Sequence, residues 1–285
     1  MKLRLENQWG VITMAGGGTE EIRITAIEGM GLPTVTLDTV QYAGQEGRAT
    51  LSALRNYRTV TLAGDITGGQ AARRVRELIR ALSCPVTVTV LFGGRERQCV
   101  ARCTSFTPSF GKGRLKTFTM QLECDSPYWQ DPTPCEAAIY HRVNCMSGAH
   151  AAYFGSAKKP LSRLVQSNLV ENRGDVPAEP VILIHNLGGT VTSGNGISVK
   201  NCTTGQAFTL HYQTKAGETV TVDIPHRRIT NGAGESLLDT LSDDSYLSDF
   251  QLTEGSNLLQ ASSNGDGERL MISCRFYNQY LEAME

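Results

Sequence analysis

Polar and apolar residues alternate along much of this chain. Glu21-Ile22-Arg23-Ile24-Thr25-Ala26-Ile27, Thr59-Val60-Thr61-Leu62-Ala63, Val86-Thr87-Val88-Thr89-Val90 and Leu115–Leu122 change character at nearly every step. A period of two sends successive side chains to opposite faces of a strand. The valine, isoleucine and threonine content of these runs favours extended backbone, and Gly93-Gly94 marks a turn between two of them. One segment follows another period. Within Gln70–Leu82, Val75, Leu78, Ile79 and Leu82 stand at i, i+3, i+4 and i+7, which predicts an amphipathic helix packed on a sheet. Arg73, Arg74, Arg76 and Arg80 fall on its other faces, Thr67 is the expected cap and Pro85 the stop. Burying the four apolar side chains is worth about 1.5–3 kcal/mol each before entropy is charged.

The pattern breaks at Asp125–Pro134, where Pro127, Pro132 and Pro134 rule out a central strand or a helix. The break predicts a first domain over 1–130 and a second over 131–285, with Tyr128 and Trp129 anchoring the segment between them. Strands then resume at Glu136–Val143, Leu161–Val170, Val181–Asn186, Ile197–Asn201, Phe208–Tyr212, Thr219–Ile224, Phe250–Leu252, Asn257–Ala261 and Leu270–Phe276, and Met146–Lys159 reads as a loop. Short strands at steady spacing predict a β-sandwich. The expected fold is therefore all-β with one short helix, in two β-sandwich-like domains.

Charge narrows the function. With 27 basic and 28 acidic residues the net charge is -1, so the basic excess of a tight nucleic-acid binder is absent. The longest apolar runs, such as Val86–Phe92, are too short to span a bilayer, so no membrane insertion is expected. Met1–Glu6 reads as a strand and not as a secretion signal. Synthesis in a reducing cytoplasm follows, and the eight cysteines are expected to be thiols.

Candidate chemistry is sparse. Cys99 and Cys103 would share a strand face, but no second close pair completes a zinc site, so they read as core residues. His141, His150, His185, His211 and His226 are scattered singly, and Asp243-Asp244 lacks the calcium-loop spacing. No nucleophile elbow, P-loop or dinucleotide fingerprint occurs. We assign no catalytic residue, no cofactor and no metal, and read the chain as not an enzyme.

Tyr42–Asn56 is polar, contains glycine and is flanked by strands. It reads either as an ordinary surface loop or as a protruding arm. An arm has little core of its own and needs a neighbouring chain to bury it, as in a heterologous ring interface. Tyr42, Gln45, Glu46, Arg48, Leu51, Leu54 and Arg55 are its candidate interface residues.

Two stretches carry a resemblance. The first is Ile27-Glu28-Gly29-Met30-Gly31-Leu32-Pro33, then Tyr42–Gly47 and Arg58–Ile66. The second is Asn172-Arg173-Gly174-Asp175-Val176-Pro177-Ala178-Glu179-Pro180-Val181, then Gly205-Gln206 and Ala216–Asp223. With the Asp125–Pro134 segment, in this order along nearly the whole chain, they resemble the siphophage distal tail (Dit) proteins. The resemblance implies a tail-tube-like first domain closing into a hexameric ring and a galectin-like second domain outside it. It implies a role in the virion tail, after synthesis in the host bacterial cytoplasm, joining the tail tube protein to the tail-tip hub and the host-adhesion apparatus. A receptor-binding protein is a further partner under the same reading. Two rivals are a carbohydrate-binding module for host-surface glycans and a cell-wall hydrolase. The first would stack sugars on exposed aromatics, and Tyr140, Tyr153, Tyr212 and Tyr246 are isolated. The second would need convergent catalytic groups.

Overall fold

A computed structural model describes residues 1–17, 21–44, 46–109, 115–144, 162–188, 196–263 and 270–284. Gln45, Cys145, His150, Tyr153 and the Met146–Lys159 segment lie outside the described residues. The elements run β1 (Lys2–Asn7), β2 (Gly10–Ala15), β3 (Ile22–Glu28), β4 (Val35–Val40), β5 (Ala49–Arg55), β6 (Arg58–Thr67), α1 (Ala71–Leu82), β7 (Val86–Phe92), β8 (Arg95–Pro108), β9 (Leu115–Cys124) and β10 (Trp129–Gln130). They continue with β11 (Cys135–Asn144), β12 (Ser162–Val165), β13 (Ser167–Asn172), β14 (Val181–Asn186), β15 (Ile197–Asn201), β16 (Ala207–Leu210), β17 (Thr219–Asp223), β18 (Arg228–Thr230), β19 (Gly255–Ser263), β20 (Leu270–Phe276) and β21 (Gln279–Tyr280). Contacts divide the chain into Met1–Pro132 with Gln279–Glu285, and Thr133–Asn278. The last seven residues, which the sequence reading assigns to the second domain, thus fall with the first unit, because β21 pairs with β10 through Trp129 and Tyr280.

In the first unit, β8 pairs with β7 along Arg95–Ala101 and with β9 along Ala101–Pro108. One long strand therefore serves two neighbours, and β8-β7-β1-β2-β3-β6-β9 closes on itself as a barrel. Alternating runs are common to sandwiches and barrels; the closure comes from pairings far apart in sequence. Alternate residues fill the interior, among them Leu3, Leu5, Val60, Leu62, Ile66, Val88, Val90, Met120 and Leu122. Helix α1 packs Ala71, Val75, Leu78, Ala81 and Leu82 inward. Ile79, expected to be buried, is 48% exposed; at about 100° per residue it lies just past one edge of the arc on which Ala81 marks the other. Thr67 is not the cap but the last residue of β6, and Gln70 precedes the helix without a side-chain capping bond.

Arg58 begins β6 and points into this unit, 2% exposed. It donates to the carbonyls of Pro127 (2.9 Å), Gly29 (2.7 Å) and Leu281 (2.7 Å), and also to that of Gly31. Its guanidinium carbon lies 5.5 Å from the centre of the buried Trp129 ring. Gly29 must be glycine here: its φ is +85° and a Cβ would meet the Thr59 carbonyl oxygen at 2.0 Å.

The second unit is a sandwich. A six-stranded sheet, β12-β11-β20-β14-β17-β18, and a four-stranded sheet, β13-β19-β15-β16, share one core. Ile182, Ile184, Val220, Val222 and Ile272 come from the first sheet, and Val199, Phe208, Leu210, Leu259 and Ala261 from the second. Asparagines end β13, β14 and β15, and each turns the chain by accepting a hydrogen bond from the N–H two residues on, at Gly174, Gly188 and Thr203. Asn172 and Asn201 also donate to the carbonyls of Leu252 and Gln251, so these buried amides fasten the turns to the body.

Candidate assembly surface

The arm is longer than its sequence suggests. Val35-Thr36-Leu37-Asp38-Thr39-Val40 pairs antiparallel with Ala49–Arg55 as a separate two-stranded sheet, so strand pairing begins before Tyr42. Ser52 faces Asp38 and Thr50 faces Thr39, which leaves Leu51 as the extra residue of a β-bulge. Bulges bend a strand and re-aim a side chain. Leu51 and Leu54 are each 63% exposed, and Val35, Leu37 and Tyr42 are exposed as well. Every residue of β5 is exposed. Among the described residues the hairpin pairs with no other strand.

Tyr42, Glu46 and Arg48 lie at the tip and Leu51, Leu54 and Arg55 on β5, all exposed. Arg55 pairs across the hairpin with Val35. The seventh expected residue, Gln45, is outside the described residues.

A second surface was not legible in the sequence. Strand β2 meets β3 at a single pair, Ala15 with Arg23, so among the described residues Gly10–Met14 are paired along one edge only, to β1. Beside that open edge is a recess of about 600 Å³ lined by Trp9, Val11, Thr13, Glu21, Arg74 and Arg80. Trp9 and Val11 are 50% and 54% exposed. The Arg80 guanidinium lies 4.0 Å from the centre of the Trp9 ring, while Arg74 is paired with Glu21 (2.6 Å) and Glu77 (2.8 Å). The arginines of α1 are thus partly committed to neighbours rather than to open solvent.

The other candidates do not converge. Cys99 is buried against Cys124, whereas Cys103 meets the Ser105 carbonyl. His185 bonds to Thr219 and His226 to Asp223. Asp243 and Asp244 occupy an exposed turn. Among the described residues, no three His, Cys, Asp or Glu side chains gather as a metal site would require, and no helix is long and apolar enough to cross a membrane.

No family model matches the chain and no curated protein matches it. Solved structures do. A chain of the phage P2 baseplate in its activated conformation with Ca aligns at 11% identity and TM-score 0.52, covering 97% of both chains. The crystal structure of the SPP1 Dit protein, described as a paradigm of the hub adsorption apparatus in phages infecting Gram-positive bacteria, aligns at 15% identity and TM-score 0.64, covering 91% of this chain and 93% of that one. The chain thus shares the all-β fold of these two solved chains, the SPP1 Dit protein and the P2 baseplate chain.

Proposed function

We propose that this chain is a structural component of a phage tail tip or baseplate. In this reading it closes into a hexameric ring that joins the tail tube protein to the tail-tip hub and the host-adhesion apparatus. The unit of Met1–Pro132 with Gln279–Glu285 builds the ring, Thr133–Asn278 form a galectin-like outer domain, and a receptor-binding protein attaches to the assembly. The protein is made in the host cytoplasm and works in the virion tail, without catalysis or cofactor.

The observation that carries the proposal is the arm. Seven strand residues have both faces exposed, two leucines among them, and among the described residues their hairpin pairs with no other strand. A heterologous ring needs two different complementary surfaces on each subunit. In this reading the arm and the recess beside Trp9 serve as those two surfaces. Whole-chain likeness to the SPP1 Dit protein supports the same role.

Electron microscopy of the purified chain tests the proposal. Six-fold annuli with an open centre are the expected result. A field of single particles of monomer size, at concentrations up to those of an assembling virion, would contradict it.

A further inference from the structure

Strands β8 and β9 carry two cysteines into the interior of the first unit. Ala101 pairs with Cys124, so Cys99, two residues along β8, lies on the same face and diagonal to Cys124. Their sulfurs are 3.0 Å apart, and both residues are buried. A disulfide holds its sulfurs at about 2.05 Å, so a movement of about 1 Å separates the dithiol from the bond. Diagonal neighbours stand about 7–8 Å apart, just beyond the usual disulfide Cα separation of about 4.4–6.8 Å, so closing the bond also draws the two strand backbones together.

Arg58 is the third member of the group. Its hydrogen bonds described above all go to backbone carbonyls, none to a carboxylate. Its charge favours the ionised form of both sulfurs. The hydrogen bond between the two sulfurs, and then Arg58, pull the Cys124 thiol below its usual range. Cys99, which shares that hydrogen bond and is itself desolvated, is pushed well above it. The 3.0 Å approach of the two sulfurs beside a cation favours ionisation of one of them with the other as its partner thiol, and we take Cys124 as the one that ionises.

We propose that Cys99 and Cys124 are a reactive dithiol that hydrogen peroxide closes to a disulfide in an oxidising medium. The Cys124 thiolate attacks one peroxide oxygen, the O–O bond breaks, and hydroxide leaves and takes up a proton to become water. Cys124 is now a sulfenic acid. The Cys99 sulfur attacks the Cys124 sulfur, the S–O bond breaks, and hydroxide departs with the Cys99 proton as a second water. Two thiols and one peroxide become one disulfide and two waters; sulfur is oxidised and peroxide reduced. Cys124 ends β9 and directly precedes Asp125–Pro127. The bond therefore ties the end of β9 to β8, beside the Pro127 carbonyl held by Arg58.

The test uses the full chain, reduced and then freed of reductant. It is treated with hydrogen peroxide at neutral pH, denatured, alkylated and mapped by mass spectrometry without reduction. The expected product is a Cys99–Cys124 crosslinked peptide pair that dithiothreitol reverses. In Cys99→Ser, dimedone should trap a sulfenic acid on Cys124, because the resolving thiol is gone; in Cys124→Ser, Cys99 should stay unlabelled. Two results would overturn the proposal. One is full alkylation of both thiols while the exposed Cys202 has been oxidised. The other is pairing of either sulfur with a different cysteine.

Discussion

Asn56 donates its side-chain Nδ2 to Thr36 Oγ1 at 2.6 Å, across the base of the arm. The Asn56 N–H also donates to the Thr34 carbonyl at 3.3 Å, so the arm's register is held locally, next to β6. Asn56→Ala removes a bond worth about 0.5–1.5 kcal/mol. Hydrogen exchange should quicken in Ala49–Arg55 while the amides of β6 keep their protection. Equal quickening in β6 would mean that the arm and the barrel unfold together.

Arg58 should be the most sensitive charged residue of the first unit. Arg58→Ala leaves buried carbonyls unpartnered and removes charge-assisted bonds worth about 1.5–3 kcal/mol each, and urea unfolding should show a loss of at least about 3 kcal/mol. Arg58→Lys should recover only part of it, because an ammonium cannot reproduce a planar fork of donors. Full stability in the lysine variant would show that charge alone suffices.

Cys274, in the core of the second unit, has its thiol pushed up to about 12 by burial. The folded state therefore keeps a proton that the unfolded chain loses above its ordinary value of about 9. This contribution to stability is complete below pH 9 and is lost as pH rises toward 12. Iodoacetamide at pH 8 should label Cys202 in the folded protein and leave Cys274 unmodified until denaturant is added. Rapid labelling of native Cys274 would contradict its burial.

The proline-rich segment should resist proteases despite its composition. Trp129 is fully buried and the Pro127 carbonyl is bonded to Arg58, and limited proteolysis follows exposed, unbonded backbone. Early cuts are expected to spare Ser126–Gln130. An early cut beside Trp129 would show that this anchor is loose.

Much of the fold was legible because burial imposes periodicity. The alternation of Val60, Leu62, Gly64 and Ile66 in β6 is the alternation of the barrel wall, and the β14 and β20 runs behave alike in the sandwich. What needed coordinates was assembled from distant positions. Arg58 looks like the charged start of a strand, yet its acceptors come from residues 29, 31, 127 and 281. Cys99 and Cys124 have no motif spacing, and the fold brings them together by register. The arm was half legible. Its exposed leucines stood out in a polar stretch, whereas the alternation of Val35–Val40 did not announce that this strand pairs only with Ala49–Arg55.

The central claim, that the arm serves assembly, is tested most directly by light scattering on the wild type and the Leu51→Ala, Leu54→Ala double variant, with circular dichroism on both. Leu51 and Leu54 are each 63% exposed within the chain, so truncation should leave the subunit fold within about 0.5 kcal/mol of the wild type. If a neighbour buries them, each costs about 2–5 kcal/mol on truncation, and a ring repeats that loss at every interface. The wild type should scatter as a particle near six times the 31.0 kDa chain mass, and the folded double variant near one. Rings of unchanged mass in the double variant would contradict the claim, as would a wild type that stays monomeric.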